Sequence, residues 1–392
     1  MTTAAVRLVP WIARAPVWLV VVAAAVVVAP LWLIVLAHFD GNVVDLAIFG
    51  GELAPRVRPP ADAHPLAGPG YDGQFFWRLA TDPMLHGWEV LHTFDAEAYR
   101  VQRILYPALA WLIAAGRPSL LPVTLQLVAW AAVLGLVALL AGTAQRHGRS
   151  AWWGLPLGLM PGMYLGAVRG LADPLAATLL VAAVVAMERR RWGWAALAAA
   201  AAVLARETMM LLPIAMLAVG VAAAAQLPDR LRPAPLPRPA WVVAGVAAAA
   251  YTAWQAYAAV RIGSVPYLST PDGQFTGPFS ALVGQLDVTG RDVANGGRFL
   301  LLAIANPLYL AAIAVGAGLA VWAAARCLES VSVCAVLFAA VAVTQAYGDH
   351  WSYTRATAPL FALLAYLALT RGYRRTMTLI ACGALLLPLY PP

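Results

Sequence analysis

Residues 192–224 read WGWAALAAAAAVLARETMMLLPIAMLAVGVAAA. Two apolar runs are interrupted once, by Arg206-Glu207. A bilayer crossing takes about 20 apolar residues, and a charge near its centre costs about 2.5–3.5 kcal/mol. The stretch therefore reads as two membrane spans that meet at a turn. Glycine and proline alone suffice to make such a turn, so the charged pair needs another cause. Adjacent residues point about 100° apart on a helix and need not pair with each other. Two readings stand: Arg206 faces a phosphate while Glu207 steadies it or another arginine, or the two form a structural ion pair that closes the hairpin.

The rest of the chain agrees with a membrane reading. Of its 392 residues 62% are hydrophobic and 11% charged, with a mean hydropathy of +0.75. A soluble domain is nearer half apolar and a quarter charged. This excludes a cytosolic enzyme, a disordered chain and a secreted disulfide scaffold. The first apolar run, 17–37, follows Arg7 and Arg14 and contains Val35-Leu36-Ala37, which resembles a cleavage site. It is longer than the 7–15 apolar residues typical of a signal peptide and reads as an uncleaved span. Ten further spans are expected at 120–143, 151–168, 172–187, 192–205, 208–226, 240–260, 298–325, 330–346, 353–370 and 376–391. The short apolar stretch 104–116 is re-entrant or a further crossing. The expected fold is thus an all-α polytopic bundle of about eleven transmembrane helices, in one membrane domain over 1–392.

Charge sets the orientation. All 26 basic residues are arginine, against 18 acids, for a net charge of +8. In the eleven-span arrangement 14 arginines, among them Arg189-Arg190-Arg191, share one side with only Glu188, Asp229 and Glu329. The positive-inside rule makes that side cytoplasmic, with the N-terminus in and the C-terminus out. No basic, aromatic-interleaved patch points to nucleic acid. Cys327, Cys334 and Cys382 lie in apolar stretches without metal-site spacing, which points to packing. Two long segments, 38–103 and 261–297, fall outside the cytoplasm and are rich in Gly, Pro and Asp, as loops are. Within the first, Phe75 to Leu79 and Ala96 to Ile104 read as short amphipathic helices at the membrane surface. Asp-Gly-Gln-Phe occurs at both 72–75 and 272–275 without any wider repeat.

Five polar clusters fall on the non-cytoplasmic side. Gly70-Tyr71-Asp72-Gly73-Gln74-Phe75 puts a carboxylate at the start of a short helix, as an N-cap or as a base for a hydroxyl proton. Arg100 and Arg103, flanking Gln102, share a helix face at the membrane boundary, where they snorkel to headgroups or hold a phosphate. Arg169-Gly170-Leu171-Ala172-Asp173-Pro174 reads chiefly as a helix start, with Asp173 as cap, Pro174 in the first turn and Arg169 as its partner. Arg206-Glu207 is the fourth. The fifth, 347–355, offers His350, Tyr353 and Arg355 to sugar hydroxyls and phosphate; an aromatic belt explains its rings but not Arg355. No nucleotide motif accompanies these arginines, which fits a lipid-phosphate donor that carries its own activation.

Tyr71-Asp72-Gly73-Gln74-Phe75-Phe76-Trp77-Arg78-Leu79-Ala80, Ile104-Leu105-Tyr106-Pro107 and Ala205-Arg206-Glu207-Thr208-Met209 resemble motifs of the GT-C superfamily of membrane glycosyltransferases. The likeness is to the family of the second mannosyltransferase of GPI-anchor assembly and to bacterial proteins of cell-surface glycopolymer formation. It covers roughly 30–215 by motif. Tyr71 stands where that family has Trp, and Met209 where it has Gly. The resemblance implies a GT-C fold and an inverting transfer of a sugar from a polyprenyl-phosphate donor to a glycan, lipid or protein acceptor. It implies a multi-pass protein of the bacterial inner membrane, in contact with membrane lipid, with its site facing the periplasm. It makes Asp72 the base, with Asp40 as rival, and gives Arg103, Arg206 and Arg355 to the donor phosphate. Asp40, Asp72 and Asp173 would suit Mg or Mn if they converge, but no cofactor is demanded. Two other classes stay open: a flippase or transporter of a lipid-linked saccharide, and a non-catalytic partner in polysaccharide assembly.

Overall fold

The computed structural model describes residues 15–87, 94–225, 233–271, 273–295, 299–345 and 350–384. Among them the fold is helical, with three isolated bridges and no strand. The helices used below are α1 (Val17–His38), α2 (Asp72–Thr81), α3 (Leu105–Ile113), α4 (Leu121–Arg146), α5 (Pro161–Val168), α6 (Asp173–Glu188), α7 (Trp192–Ala205), α8 (Leu211–Ala224), α9 (Arg238–Ile262), α10 (Ser280–Asn295), α11 (Phe299–Arg326), α12 (Ser330–Thr344), α13 (His350–Ala356), α14 (Ala358–Arg371) and α15 (Arg374–Ala384).

Four stretches among the described residues are long and apolar enough to cross a membrane: Val17–His38, Pro118–Arg146, Glu207–Ala224 and Ile304–Arg326. Trp192–Ala205, Ser330–Thr344 and Ala358–Arg371 are apolar but shorter. The all-helical membrane character expected from composition is present, but helix length alone does not give eleven crossings. The expected span 151–168 is broken: helix Gly154–Gly158 ends at Leu159, Met160 is extended, and Pro161 restarts the chain as α5. The stretch 104–116 forms only the nine-residue α3.

Burial follows sequence closely. Helix α1 is apolar all round and buries one narrow stripe, Val20, Ala24, Val28 and Val35, against α4, while Trp18 and Val26 stay two-thirds exposed. Such a helix meets lipid on its remaining faces. By contrast α14 is buried from Ala358 to Leu369 and forms the centre, touching α4, α6, α11 and α12. Small residues allow the close contacts: a Cβ at Gly158 would meet Val137 at 2.6 Å, so the helix 154–158 lies directly on α4. Of the cysteines only Cys334 is in the core; Cys327 is half-buried and Cys382 exposed.

The first loop packs as part of the protein. Its helix α2, expected as a short amphipathic helix, is packed against the protein on most of its faces. Gly73 to Trp77, Leu79 and Ala80 are buried, with edge-to-face contacts Phe76–Tyr106, Phe49–Trp77 and Phe75–Phe94. The second short helix covers only Glu97–Arg100, with a turn beyond it. Asp45 pins the start of the loop: it accepts from Asn42 Nδ2 (2.9 Å), the His64 amide (2.7 Å) and His64 Nδ1 (2.8 Å).

Candidate active site

The apolar hairpin of 192–224 breaks at its charged pair. Helix α7 ends at Ala205, Arg206 is extended (φ −157°, ψ 130°), and Glu207–Met210 form a 3-10 turn into α8. Fourteen residues of helix span about 21 Å, short of a hydrocarbon core of about 30 Å. A helix of that length starting at one surface leaves Arg206 below the other surface. Its neighbour α6, running the opposite way, starts at Asp173 and pairs with it.

Asp72 is the first residue of α2, not its cap; Tyr71 holds that place and no side chain caps the helix. Asp173 likewise opens α6 behind Ala172. Both carboxylates are therefore left for other partners. Gly73 brings Asp72 inward: a Cβ there would lie 2.5 Å from the Arg169 carbonyl oxygen and 2.8 Å from that of Ala47. The turn 169–173 and the start of α2 thus touch backbone to backbone.

Three arginines, from two separate parts of the chain, converge on Asp72. Arg100 Nη1 donates to Oδ1 (2.8 Å), Arg355 Nη2 to Oδ2 (2.7 Å), and Arg103 Nη1 stands 3.9 Å from Oδ2. Arg100 also grips Asp95 with Nε and Nη2, both at 2.8 Å, and lies 4.4 Å from the centre of the Phe75 ring. Arg103 forms a two-pronged pair with Glu207 (2.9 and 2.7 Å) and donates to the Tyr99 hydroxyl (2.7 Å). Arg355 reaches on to Asp173 at 3.4 Å and sits over the Tyr71 ring. Four guanidinium groups thus meet four carboxylates. Burial raises the Asp72 carboxyl, but Arg100, Arg355 and Arg103 outweigh it and hold the group well below the usual carboxylate range.

A cavity of about 620 Å³ opens beside this cluster. Arg103, Arg206 and Glu207 stand at its charged part, with Tyr99, Gln102 and Tyr251 nearby. Leu211 and Ile214 of α8 and Val341 of α12 give it an apolar wall. The loop after α9 covers another side, fixed to the end of α12 by Thr276 N to Thr344 O and Phe279 N to Val343 O. Ile214 is 46% exposed and Leu268 78% exposed, so the cavity's apolar part reaches the outer face of the helices.

The expected site residues separate into groups. Asp72, Arg100, Arg103, Arg206, Glu207 and Arg355 come together. Gln102 lines the cavity, its Oε1 accepting from Tyr251 (2.8 Å). Arg169 is buried with its guanidinium 5.9 Å from the Phe39 ring centre, and Asp173 meets Arg206 and Arg355. Asp40 is exposed in a left-handed turn (φ 51°) after α1 and takes no part in the ion pairs that join Asp72, Asp173 and Glu207 to their arginines. Gln74 is fully buried but clips the loop, accepting from Gly50 N (3.2 Å) and donating to Pro69 O (2.7 Å). Tyr353 donates to Asn306 Oδ1 (2.9 Å) in the core. The His350 side chain and residues 347–349 lie outside the described residues.

Asp72 and Asp173 do approach one arginine, but Asp40 does not join them. Among the described residues no group of three or more His, Cys, Asp or Glu is placed to hold a metal. Sequence reasoning missed Asp95, Tyr99 and Tyr251. Asp95 and Tyr99 had a local signal, five residues before Arg100 and four before Arg103; Tyr251 had none, because its approach to Gln102 is tertiary. Compared with known protein families, characterised proteins and solved structures, the chain has no match.

Proposed function

We propose that the chain is an inverting glycosyltransferase that moves a sugar from a polyprenyl-phosphate donor to a hydroxyl of a cell-envelope acceptor. The observation that carries this reading is Asp72 at the focus of three arginines, beside a cavity charged in one part and apolar in the other. A lipid phosphate needs such a combination: guanidinium groups for the phosphate and an apolar wall for the chain. The GT-C likeness of the motifs around Asp72, Tyr106 and Arg206 supports the same reading. So do the short apolar helices Trp192–Ala205 and Ser330–Thr344, which in a bundle of the proposed eleven crossings would frame a thinned, site-bearing face on the periplasmic side of a bacterial inner membrane.

In this mechanism the donor phosphate competes with Asp72 for Arg100, Arg103 and Arg355. As those arginines turn to the phosphate, Asp72 regains basicity and accepts the proton of the acceptor hydroxyl. The acceptor oxygen bonds to the anomeric carbon as the carbon–oxygen bond to phosphate breaks on the opposite face. Polyprenyl phosphate leaves with the electron pair, its charge met by Arg103 and Arg206. The sugar configuration inverts because one displacement occurs.

The test is transfer by purified protein from a panel of radiolabelled polyprenyl-phosphate sugars, wild type beside Asp72→Asn, with and without chelator. Label reaching an acceptor or water in wild type, and falling at least 100-fold in Asp72→Asn while donor binding persists, supports the reading. Saturable donor binding without turnover overturns it in favour of a flippase or assembly partner. Loss with chelator would assign Mg or Mn a part.

A further inference from the structure

Resting on the donor reading above, we propose that the part of the cavity covered by the loop after α9 seats the donor's sugar, and that it takes an uncharged sugar with one apolar face. The Phe275 ring is the platform, and the Gln345 amide and Tyr267 hydroxyl are the partners of sugar hydroxyls. All three residues line the cavity. Phe275 and Gln345 oppose each other in an isolated antiparallel bridge. Opposed residues of such a bridge carry their side chains on one face, and since both line the cavity, that face is the cavity's. A sugar presents C–H bonds on the flat side of its ring and hydroxyls around its rim. A phenyl ring suits the first, and neutral amide and phenol groups suit the second.

These groups are open to a ligand. Tyr267 is 60% exposed, Phe275 63% exposed and Gln345 half-buried. Neither the Tyr267 hydroxyl nor the Gln345 amide has a partner among the described residues. The other amides nearby are already engaged. Gln102 Oε1 accepts from Tyr251 (2.8 Å) and from Gln255 Nε2 (3.4 Å), and Gln102 Nε2 donates to Tyr99 O (3.2 Å). Gln255 Oε1 in turn accepts from Tyr267 N (3.0 Å). Gln255 thus ties the loop to Gln102, the neighbour of Arg103, while Thr276 N to Thr344 O (2.6 Å) ties it to α12. Ring, amide and hydroxyl are thereby held at a fixed place relative to the arginine assigned to the phosphate. Charge decides the kind of sugar. Among the described residues only Arg103, Arg206 and Glu207 bring charge to the cavity lining, a balance of +1. One phosphodiester cancels it. A uronate then finds no cation left, and an amino sugar finds Glu207 already gripped by Arg103.

The test is equilibrium binding, to the full chain in detergent, of bare polyprenyl phosphate and its glucosyl, galactosyl, mannosyl, arabinosyl, glucuronosyl and glucosaminyl esters. At least one neutral ester is expected to bind about tenfold tighter than bare polyprenyl phosphate, and the two charged esters no tighter than it. Gln345→Leu and Tyr267→Phe each remove one partner, and Phe275→Ala removes the platform. Each is expected to cut the ratio of neutral-ester to bare affinity by about 2- to 10-fold, with an unchanged melting profile. Arg103→Lys weakens both ligands together and moves the ratio little. Equal affinity for bare polyprenyl phosphate and every ester, preference for a charged ester, or a neutral preference that survives all three substitutions overturns the sugar seat and leaves the phosphate site standing. Failure to bind bare polyprenyl phosphate or any ester overturns the donor reading, and the seat with it.

Discussion

Helices α6 and α7 form an antiparallel pair with arginine at both ends, and the two ends are built differently. At one, Arg189, Arg190 and Arg191 are exposed in the connecting turn. Glu188 beside them turns to His147 (2.7 Å), Tyr366 (3.1 Å) and Arg146 (3.6 Å). At the other, Arg206 is 5% exposed and meets Asp173, which is 2% exposed and shared with Arg355. Exposed guanidinium groups are served by water and headgroups and need no partner. Buried ones need carboxylates, and assembling those carries a desolvation penalty that a hydrophobic contact would avoid. The same residue type thus anchors the pair at one end and builds a charged site at the other.

Mutation should break this contrast most sharply at its buried end. Arg206→Ala leaves the buried Asp173 only its 3.4 Å contact with Arg355 and is expected to destabilise by about 3 kcal/mol, the low end for a broken buried pair. Adding Asp173→Leu should recover most of that, whereas Arg191→Ala should stay within about 0.5 kcal/mol. Denaturant unfolding of the four proteins in one detergent checks all three values. Equal losses at Arg206 and Arg191 would erase the distinction between the ends.

Gly73→Ala should act on the site with little change to the helices. The added Cβ meets two carbonyls at under 3 Å, so α2 must shift and carry Asp72 away from Arg355. Transfer activity is expected to fall at least tenfold, in keeping with the sensitivity of catalysis to displacements of about 1 Å. Full activity would show that Asp72 needs no fixed place.

Arg103→Lys keeps the charge but cannot make the two-pronged contact with Glu207, nor match a phosphate in the same way. Donor affinity should weaken about tenfold, with a smaller effect on acceptor KM. Direct binding of labelled donor measures this, and an equal loss for both substrates would make Arg103 structural.

The smallest expected effect separates Asp45 from Asp72 within the first loop. Asp72 faces arginines, so its interactions last across the neutral range and weaken only as acid protonates the carboxyl. Asp45 faces His64, whose hydrogen bond to Asp45, together with the carboxylate charge, raises it above its ordinary 6.5. Its contribution is therefore complete below about 6.5 and is lost as pH rises through the raised value. Amide exchange in 42–66 should quicken across that window, and His64→Ala should abolish the dependence. A pH-independent rate in wild type would remove His64 from the latch.

The arginines and carboxylates of the site were visible individually, because a charge amid apolar residues stands out wherever it falls. Their pairing was not. Asp72 and Asp173 fit a helix-cap pattern by local sequence, yet neither caps, since each carboxylate finds guanidinium groups brought from elsewhere. Gln74 and Tyr353 carried the same polar signal as true site residues and serve the loop and the core. The segment 151–168 had the apolar length of a span, but Pro161 and the extended Met160 divide it.

What the sequence determined by itself is the solvent this chain folds in. Its composition, its helix-length apolar runs and the charged break at Arg206-Glu207 depend only on transfer free energies along the chain. What only the tertiary structure decided is which charges meet. Arg100 and Asp72 are 28 positions apart, Arg103 and Glu207 are 104, and Arg355 and Asp72 are 283. Distances in space over such separations are set by helix packing and by a backbone contact that only Gly73 permits, neither of which a local pattern records.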